Sequence, residues 1–139
     1  MAYLPPKILK ELEEADGDLC AYCRTSVHNT GQPLTIDHIQ PQSLDGLSIY
    51  ENLCLACRHC NEFKGNKVKV IDPLTEETVL LFHPRKDIWL EHFEWDATGT
   101  RLVGLTKKGR ATIVALNVNN EVVIKARSRW VSVGWHPPS

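Results

Sequence analysis

The sequence contains no long hydrophobic run and no pattern typical of an exported protein. None of its apolar stretches approaches the roughly 18 consecutive residues that a membrane-spanning helix needs. Its hydrophobic (42%) and charged (24%) fractions are ordinary for a globular protein. Residues 1–7 show no charged segment followed by an apolar stretch and a small-residue cleavage site. These absences argue against a membrane protein and predict a cytoplasmic location.

The sequence also lacks a full set of cysteine pairs, because the number of cysteines is odd. Five thiols cannot all pair, and cytoplasmic thiols stay reduced, so disulfides are disfavoured. Cys20 and Cys23 form one pair with two intervening residues, and Cys57 and Cys60 form another. Each pair can place two thiolates on one metal, and four thiolates in a tetrahedron suit zinc best. The spacing predicts a structural Zn²⁺, with an iron–sulfur cluster or uncoordinated thiols as alternatives. Cys54 is predicted to be a small buried hydrophobe.

A large net charge is missing as well, since the chain carries −1 overall. Residues 1–56 carry three basic and eight acidic side chains, whereas residues 57–139 carry thirteen basic and nine acidic ones. Two basic clusters in the second part can contact phosphates. One cluster is Arg58, Lys64, Lys67 and Lys69, and the other is Arg101, Lys107, Lys108, Arg110, Lys125, Arg127 and Arg129. Solvated helix faces explain the second cluster equally well.

Local patterns predict a mixture of helices and short strands. A first amphipathic helix opens at Pro5-Pro6, closes at Asp16-Gly17 and is expected to pack on the core. The turn-rich segment 20–60 predicts a hairpin with a long irregular connection, followed by a helix from about Cys57 to about Asn66. Further on, we expect a strand at 79–82, a hairpin of 93–95 with 101–103, and helices capped by Thr106 and by Asn119 or Asn120.

Further motifs lie between the two cysteine pairs and around the second pair. Asp37-His38-Ile39-x-Pro41 is followed by Asn52-Leu53, and then by Cys57-x2-Cys60-Asn61-x2-Lys64-Gly65. In order and approximate spacing these motifs resemble the HNH (ββα-metal) endonuclease family, in its bacterial branch with four zinc-binding cysteines. Stretches of residues 72–138 also resemble the tail that follows this core in many bacterial members.

The resemblance implies an α+β fold. Its centre is a treble-clef-like ββα-metal nuclease core with a structural zinc held by four cysteines, accompanied by an N-terminal helix and a C-terminal β-hairpin with helices. We therefore expect a single HNH endonuclease domain over residues 1–139. It divides into an N-terminal helix (1–17), a zinc-stapled core (18–70) and an accessory β/α extension (71–139).

The chemistry of that family suits these residue types. Phosphodiester hydrolysis needs an activated water, a stabilised phosphate and a neutralised leaving oxygen. A histidine side chain can accept a proton near neutral pH, so His38 is the candidate general base. The resemblance further implies that Asp37 and Asn61 hold a catalytic cation, and that Asn52 pins the loop and helps to orient His38. Many relatives carry histidine at position 61, and an amide oxygen there favours Mg²⁺ or Mn²⁺.

Two features of this hypothesis depend on geometry. Asp37 and His38 are adjacent, and in a regular strand their side chains would point to opposite sides, so the strand should end or distort there. Lys64, one turn after Asn61, is expected to contact a DNA phosphate. Arg58, His59 and Lys67 are further candidate DNA contacts; simple solvation is the alternative for Lys64, and exposure without a role is the alternative for His59.

The sequence therefore predicts a metal-dependent DNA endonuclease that nicks or cuts double-stranded DNA as a monomer. It uses His38 as general base, one divalent cation (Mg²⁺ or Mn²⁺) for catalysis and Zn²⁺ for structure. The alternative is a zinc-bound treble-clef module that recognises nucleic acid or a protein partner without catalysis. Metal-dependent DNA cleavage separates the two hypotheses, because the binding module has none to lose.

Overall fold

A computed structural model describes residues 4–139 and divides the chain into two compact units, one ending at Asn66 and one beginning at Lys67. Both units combine helices with two-stranded antiparallel sheets, so the predicted α+β class is confirmed. Within the described residues, no helix is long and apolar enough to cross a membrane. The assignment of residues 1–139 to one domain stays a prediction, and the first three residues of the segment 1–17 lie outside the described residues.

The first unit opens with helix α1 (Pro6–Asp16), where the sequence predicts a helix. Proline suits the first helical position because no backbone N–H is needed there. Leu12, fully buried on α1, packs with Leu53 and Leu55 in the core of this unit. The Asp16 carboxylate accepts a hydrogen bond of 2.8 Å from the Leu55 backbone N–H. The helix is thus fixed to the core by its apolar face and by its last residue.

A β-hairpin follows, formed by β1 (Thr35–His38) and β2 (Leu53–Ala56). The strands are antiparallel, and the register pairs the first residue of β1 with the last residue of β2. A short helix α2 (Val27–Thr30) precedes β1, in a segment predicted to be a turn. Helix α3 (Arg58–Lys64) follows β2 almost directly and ends two residues earlier than predicted. The hairpin and α3 together form the expected ββα arrangement.

The long connection between β1 and β2 is irregular but well packed. It contains two 3₁₀ turns, Gln42–Leu44 and Tyr50–Asn52. Gly46 lies so close to the backbone of Gln40 that a Cβ at this position would overlap the Gln40 carbonyl. Glycine is therefore required here to let the loop fold back on itself.

The second unit contains two hairpins and three helices. The strands pair as β3 with β4 and β5 with β6, both antiparallel. In chain order the elements are β3 (Lys69–Ile71), β4 (Thr78–Leu80), α4 (Trp89–His92), β5 (Phe93–Trp95), β6 (Leu102–Gly104), α5 (Lys107–Ala115) and α6 (Glu121–Ser132). Strand β3 and helix α4 were not predicted.

The caps of the last two helices match the sequence. Thr106 Oγ1 accepts a hydrogen bond from the Gly109 N–H at the start of α5, and Asn120 Oδ1 accepts one from the Val123 N–H at the start of α6. A short polar side chain at this position satisfies a backbone donor that the helix leaves unpaired. Thr106 is thus the predicted cap of α5, and Asn120 rather than Asn119 caps α6.

Several basic side chains of the second unit are engaged within it. Arg127 is buried and donates to the Thr100 carbonyl at 2.9 Å, so it is unavailable for a DNA-binding face. Lys107 pairs with Glu77, Lys108 with Asp87 at 2.8 Å, and Arg110 with Asp72. Of the second basic cluster, these four residues therefore serve intramolecular contacts.

Asp72 is the most heavily engaged of these carboxylates. Arg110 binds it through two nitrogens, with Nε at 2.9 Å from Oδ1 and Nη2 at 2.8 Å from Oδ2. The Thr75 hydroxyl donates to Oδ2 at 2.7 Å. The hydrogen bond from Arg110 holds the pKa of Asp72 well below its usual range, with Thr75 and the Leu74 N–H contributing. A carboxyl with a depressed pKa stabilises the folded unit at neutral pH.

We expect Asp72→Asn to lower the melting temperature of the second unit by several degrees at pH 7, because Arg110 loses its partner. All four tryptophans, Trp89, Trp95, Trp130 and Trp135, lie in this unit, so tryptophan fluorescence follows its unfolding alone. The difference in melting temperature between wild type and Asp72→Asn should be constant above about pH 5. It should shrink as the pH falls below about 4. Glu94→Gln, at an exposed position, is the matched control. A difference in melting temperature between wild type and Asp72→Asn that does not change with pH would contradict the prediction.

Candidate functional site

Four thiols converge in the first unit. The Sγ atoms of Cys20, Cys23, Cys57 and Cys60 all lie within 4.8 Å of one another. All four are free thiols, and the Sγ atoms of Cys23 and Cys57 are 3.7 Å apart. Zinc–sulfur bonds of about 2.3 Å in a tetrahedron give sulfur–sulfur distances of about 3.8 Å. The donor set and its spacing therefore fit a four-coordinate structural zinc.

The backbone around these thiols prepares them as ligands. The Cys23 N–H points to Cys20 Sγ at 3.5 Å, and the Cys60 N–H points to Cys57 Sγ at 3.4 Å. Cys57 is also the N-cap of α3, so the same sulfur begins the helix. Burial raises the pKa of the Cys20 thiol, whereas the hydrogen bond from Cys20 lowers the pKa of Cys23.

Asp37, in β1, is buried and fully engaged by groups of the same unit. Only 3% of the residue is exposed. The Tyr22 hydroxyl donates to Oδ2 at 2.6 Å, and the Cys54 thiol lies 3.7 Å from the same oxygen. The Lys64 ammonium donates to Oδ1 at 3.1 Å. Each oxygen of the carboxylate therefore already has a donor from the protein. Cys54 is fully buried, as predicted, although its thiol has this polar neighbour.

Lys64 is buried, whereas the sequence predicts a contact with DNA at the surface. Its residue exposure is 0%, and its ammonium donates both to Asp37 and, at 2.9 Å, to the carbonyl of His38. In this structure the charge of Lys64 is used inside the unit, and its predicted contact with a DNA phosphate, which stays a prediction, would require the side chain to leave this position. A lysine is seldom fully buried without a charged partner, and here Asp37 is that partner.

His38 ends β1 and is half-buried. Its Nε2 lies 2.9 Å from Ser48 Oγ in the connecting loop. The pairing of β1 with β2 stays regular through His38, and the strand ends at this residue, which is one of the two expected outcomes. In agreement with regular alternation, the side chains of Asp37 and His38 contact different groups. The Asp37 side chain contacts Tyr22 and Lys64, whereas the His38 side chain contacts Ser48.

The two asparagines differ in what they contact. Asn52 Oδ1 accepts from the Gln40 N–H at 2.8 Å, and its Nδ2 donates to the carbonyls of Gln40 and Leu47 at 3.0 and 2.8 Å. These bonds pin the loop that carries Ser48, and they match the geometry expected of Asn52. Asn61 Nδ2 donates to Thr35 Oγ1 at 2.8 Å, whereas no described residue donates to Asn61 Oδ1.

The Asp37 carboxylate, which was expected to hold a catalytic divalent cation, is already contacted by donors of the protein. Across residues 4–139, the four cysteines are the one group of three or more His, Cys, Asp or Glu side chains close enough to share an ion. No described residue donates to Asn61 Oδ1, whereas each oxygen of Asp37 accepts a hydrogen bond, and the buried Lys64 ammonium lies 3.1 Å from Oδ1. A cation at Asp37 would need that ammonium to move.

The remaining candidate DNA contacts lie at or near the surface. Arg58 is exposed and pairs with Glu62 at 3.1 Å, one turn along α3. His59 is half-buried and stacks on Phe63 with ring centroids 4.5 Å apart. Lys67 is exposed and begins the second unit. Of the four predicted contacts, Arg58, His59 and Lys67 are accessible at least in part, whereas Lys64 is not.

Two site residues were missed by the sequence analysis. Tyr22 lies inside the first cysteine pair, and an aromatic residue in so short a turn is a signal for burial that was overlooked. Ser48 lies in the irregular loop and carries no recognisable motif. Its position beside His38 depends on how residues 39–52 fold, which local sequence does not determine.

Comparisons with known proteins give a family match and a distant relative. The sequence model of the family described as HNH endonuclease matches residues 20–67. Septu protein PtuA of Bacillus mycoides (strain KBAB4) is 26% identical over 135 aligned residues, which cover 79% of this chain and 19% of that protein. The chain thus spans about a fifth of the length of this relative. No solved structure gives a significant match.

Proposed function

We propose, since residues 20–67 are an HNH endonuclease domain, that this chain is a metal-dependent endonuclease that hydrolyses phosphodiester bonds in double-stranded DNA. The family prediction made from the motifs is confirmed, and it supports a nuclease-type function in general. The choice of DNA as substrate, of a monomer as the active form and of Mg²⁺ or Mn²⁺ as the catalytic ion belongs to the proposal.

The observation that carries the proposal is the placement of His38. Its ring is half-buried at the end of β1, where Ser48 Oγ contacts Nε2. In the tautomer that donates from Nε2 to Ser48, Nδ1 keeps its lone pair. Nδ1 then accepts the proton of the attacking water, and the imidazolium that forms keeps its hydrogen bond to Ser48. His38 is thus held in one orientation before substrate arrives.

Other residues support His38 and the phosphate. Asn52 fixes the loop that contains Ser48, so it orients the general base His38 indirectly. Asn61 Oδ1 is open to an electropositive partner. A divalent cation, when bound, supplies charge neutralisation for the scissile phosphate and the leaving 3′-oxygen. The products of such hydrolysis would carry 5′-phosphate and 3′-hydroxyl ends.

The four cysteines have a structural role in this proposal. With four protein ligands the zinc has no open position for water or substrate. Because Cys57 caps α3 and Asn61 follows Cys60, the zinc fixes the helix that presents Asn61. Integrity of the thiolate cluster is therefore a condition for activity.

A plasmid-nicking assay tests the proposal. The purified chain, with one zinc per molecule, is incubated with supercoiled plasmid and with Mg²⁺, Mn²⁺, Ni²⁺, Zn²⁺ or EDTA. We expect nicked or linear product with Mg²⁺ and Mn²⁺, because amide and carboxylate oxygens are hard ligands, and none with EDTA. Cleavage supported by Zn²⁺ or Ni²⁺ alone would overturn the choice of cation. DNA binding without cleavage under every condition would favour the non-catalytic binding module.

A further inference from the structure

The buried contact between Lys64 and Asp37 is not explained by the proposed catalytic roles. The side chain of Lys64 is 0% exposed and that of Asp37 is 4% exposed, with 3.1 Å between Nζ and Oδ1. Lys64 is the last residue of α3, and Asp37 lies in β1. This ion pair therefore joins the helix to the strand at the place where the resemblance implies a catalytic cation.

The second oxygen of Asp37 is engaged too. Tyr22, from the first cysteine pair, donates its hydroxyl to Oδ2 at 2.6 Å. Asp37 is thus neutralised by one ammonium and held by one hydroxyl. The resting domain needs no metal ion to satisfy this carboxylate.

We propose that Lys64 is a built-in competitor of the catalytic cation: its ammonium neutralises Asp37 in the resting domain, and a divalent cation reaches the carboxylate only by displacing it. This inference rests on the proposed function. Two cations that share one carboxylate repel each other, and burial strengthens the repulsion because little water screens it. Each ion therefore lowers the affinity of the site for the other.

Displacement of Lys64 also affects the general base. The same ammonium donates to the His38 carbonyl at 2.9 Å, so its departure releases the backbone of the residue that carries the imidazole. Occupancy of the cation site and the position of His38 are thereby coupled through Lys64. Lys64 is a positioning residue in this scheme, because it touches neither the phosphate nor the water.

Titration with Mn²⁺ alone, on the zinc-loaded full chain and without DNA, tests the proposal. Lys64→Met removes the charge while keeping a side chain of similar length. We expect this variant to bind Mn²⁺ about tenfold or more tightly than wild type. It should melt at a lower temperature without Mn²⁺, because Asp37 is then buried and unpaired, and recover in saturating Mn²⁺. Lys10→Met, at an exposed position on α1, is the matched control and should match wild type.

The double variant Asp37→Asn with Lys64→Met tests whether the Asp37 carboxylate is the group that binds Mn²⁺. It lacks the carboxylate, so its Mn²⁺ affinity should lose the gain seen in Lys64→Met. An unchanged affinity in Lys64→Met, or a gain that persists in the double variant, overturns the inference. If wild type nicks plasmid while Lys64→Met shows no gain, the inference fails alone. If no variant binds Mn²⁺ and wild type nicks nothing, the inference and the proposed function fail together.

A measurement on the unaltered chain covers the case in which Lys64→Met does not fold. An amine-reactive ester should modify Lys64 much more slowly than the exposed Lys10 in the metal-free site, because Lys64 is buried. In saturating Mn²⁺ the displaced amine becomes accessible, and mass spectrometry should show its modification rate approaching that of Lys10. Continued protection of Lys64 at Mn²⁺ concentrations that occupy the site would overturn displacement.

Discussion

His38→Ala should abolish DNA nicking while leaving the fold intact. Loss of a positioned general base commonly costs about 10²- to 10⁴-fold in rate. The imidazole is half-buried and makes one side-chain hydrogen bond, to Ser48, so its removal disturbs little of the core. We therefore expect unchanged zinc content, unchanged DNA binding and a rate of plasmid nicking reduced by at least about 10²-fold.

A second histidine gives the control for this experiment. His28 is exposed in the same unit and contacts Asp18 at 2.9 Å, away from the groups that hold His38. His28→Ala should nick plasmid at the wild-type rate. Retention of activity in His38→Ala, with a nuclease-free control preparation, would remove His38 from the role of general base. Equal losses in both variants would point to a nonspecific effect on the fold.

Cys57→Ser should cause the largest loss of structure. Cys57 provides one of four thiolates, whereas serine is itself a preferred N-cap, so this substitution removes a zinc ligand and keeps a cap on α3. Structural zinc sites bind with apparent free energies of about 10–16 kcal/mol, similar to or above the whole stability of a small domain, about 5–15 kcal/mol. We expect less than one zinc per chain, unfolding of the first unit at room temperature and no nicking.

The fifth cysteine supplies the matched control. Cys54→Ser changes a buried thiol that is not part of the cluster, so zinc content should stay at one per chain. Tryptophan fluorescence should show the second unit melting unchanged in both variants, because all four tryptophans lie beyond residue 66. Full zinc content and wild-type melting of the first unit in Cys57→Ser would contradict a structural zinc at these thiols.

Much of the first unit was predictable because its signals are local. Two cysteine pairs, a proline-initiated amphipathic helix and the motif around His38 each occupy a few neighbouring residues. The structure brings the four cysteines together and forms the hairpin and α3 as expected. In the second unit, Thr106 and Asn120 mark the starts of α5 and α6 for the same reason. Local hydrogen bonds and periodicity suffice for these elements.

The partners of Asp37 were not predictable, because they depend on tertiary packing. Lys64 and Asp37 are 27 positions apart, and a lysine in the last turn of a short helix normally faces solvent. Its burial follows from how α3 lies on β1, which no local pattern determines. Ser48 reaches His38 only because the loop is folded by bonds from Asn52. The roles assigned to Asp37 and Asn61 stay predictions for the same reason.

Helix α1 has a consequence for how the first unit can be isolated. The stretch that matches the family begins at Cys20, but the hydrophobic centre of the module includes Leu12. A fragment trimmed to residues 20–67 would leave Leu53 and Leu55 without their covering helix, and the Leu55 N–H without the Asp16 carboxylate. A fragment meant to keep this core should therefore include α1 and Leu4, well upstream of the matching stretch.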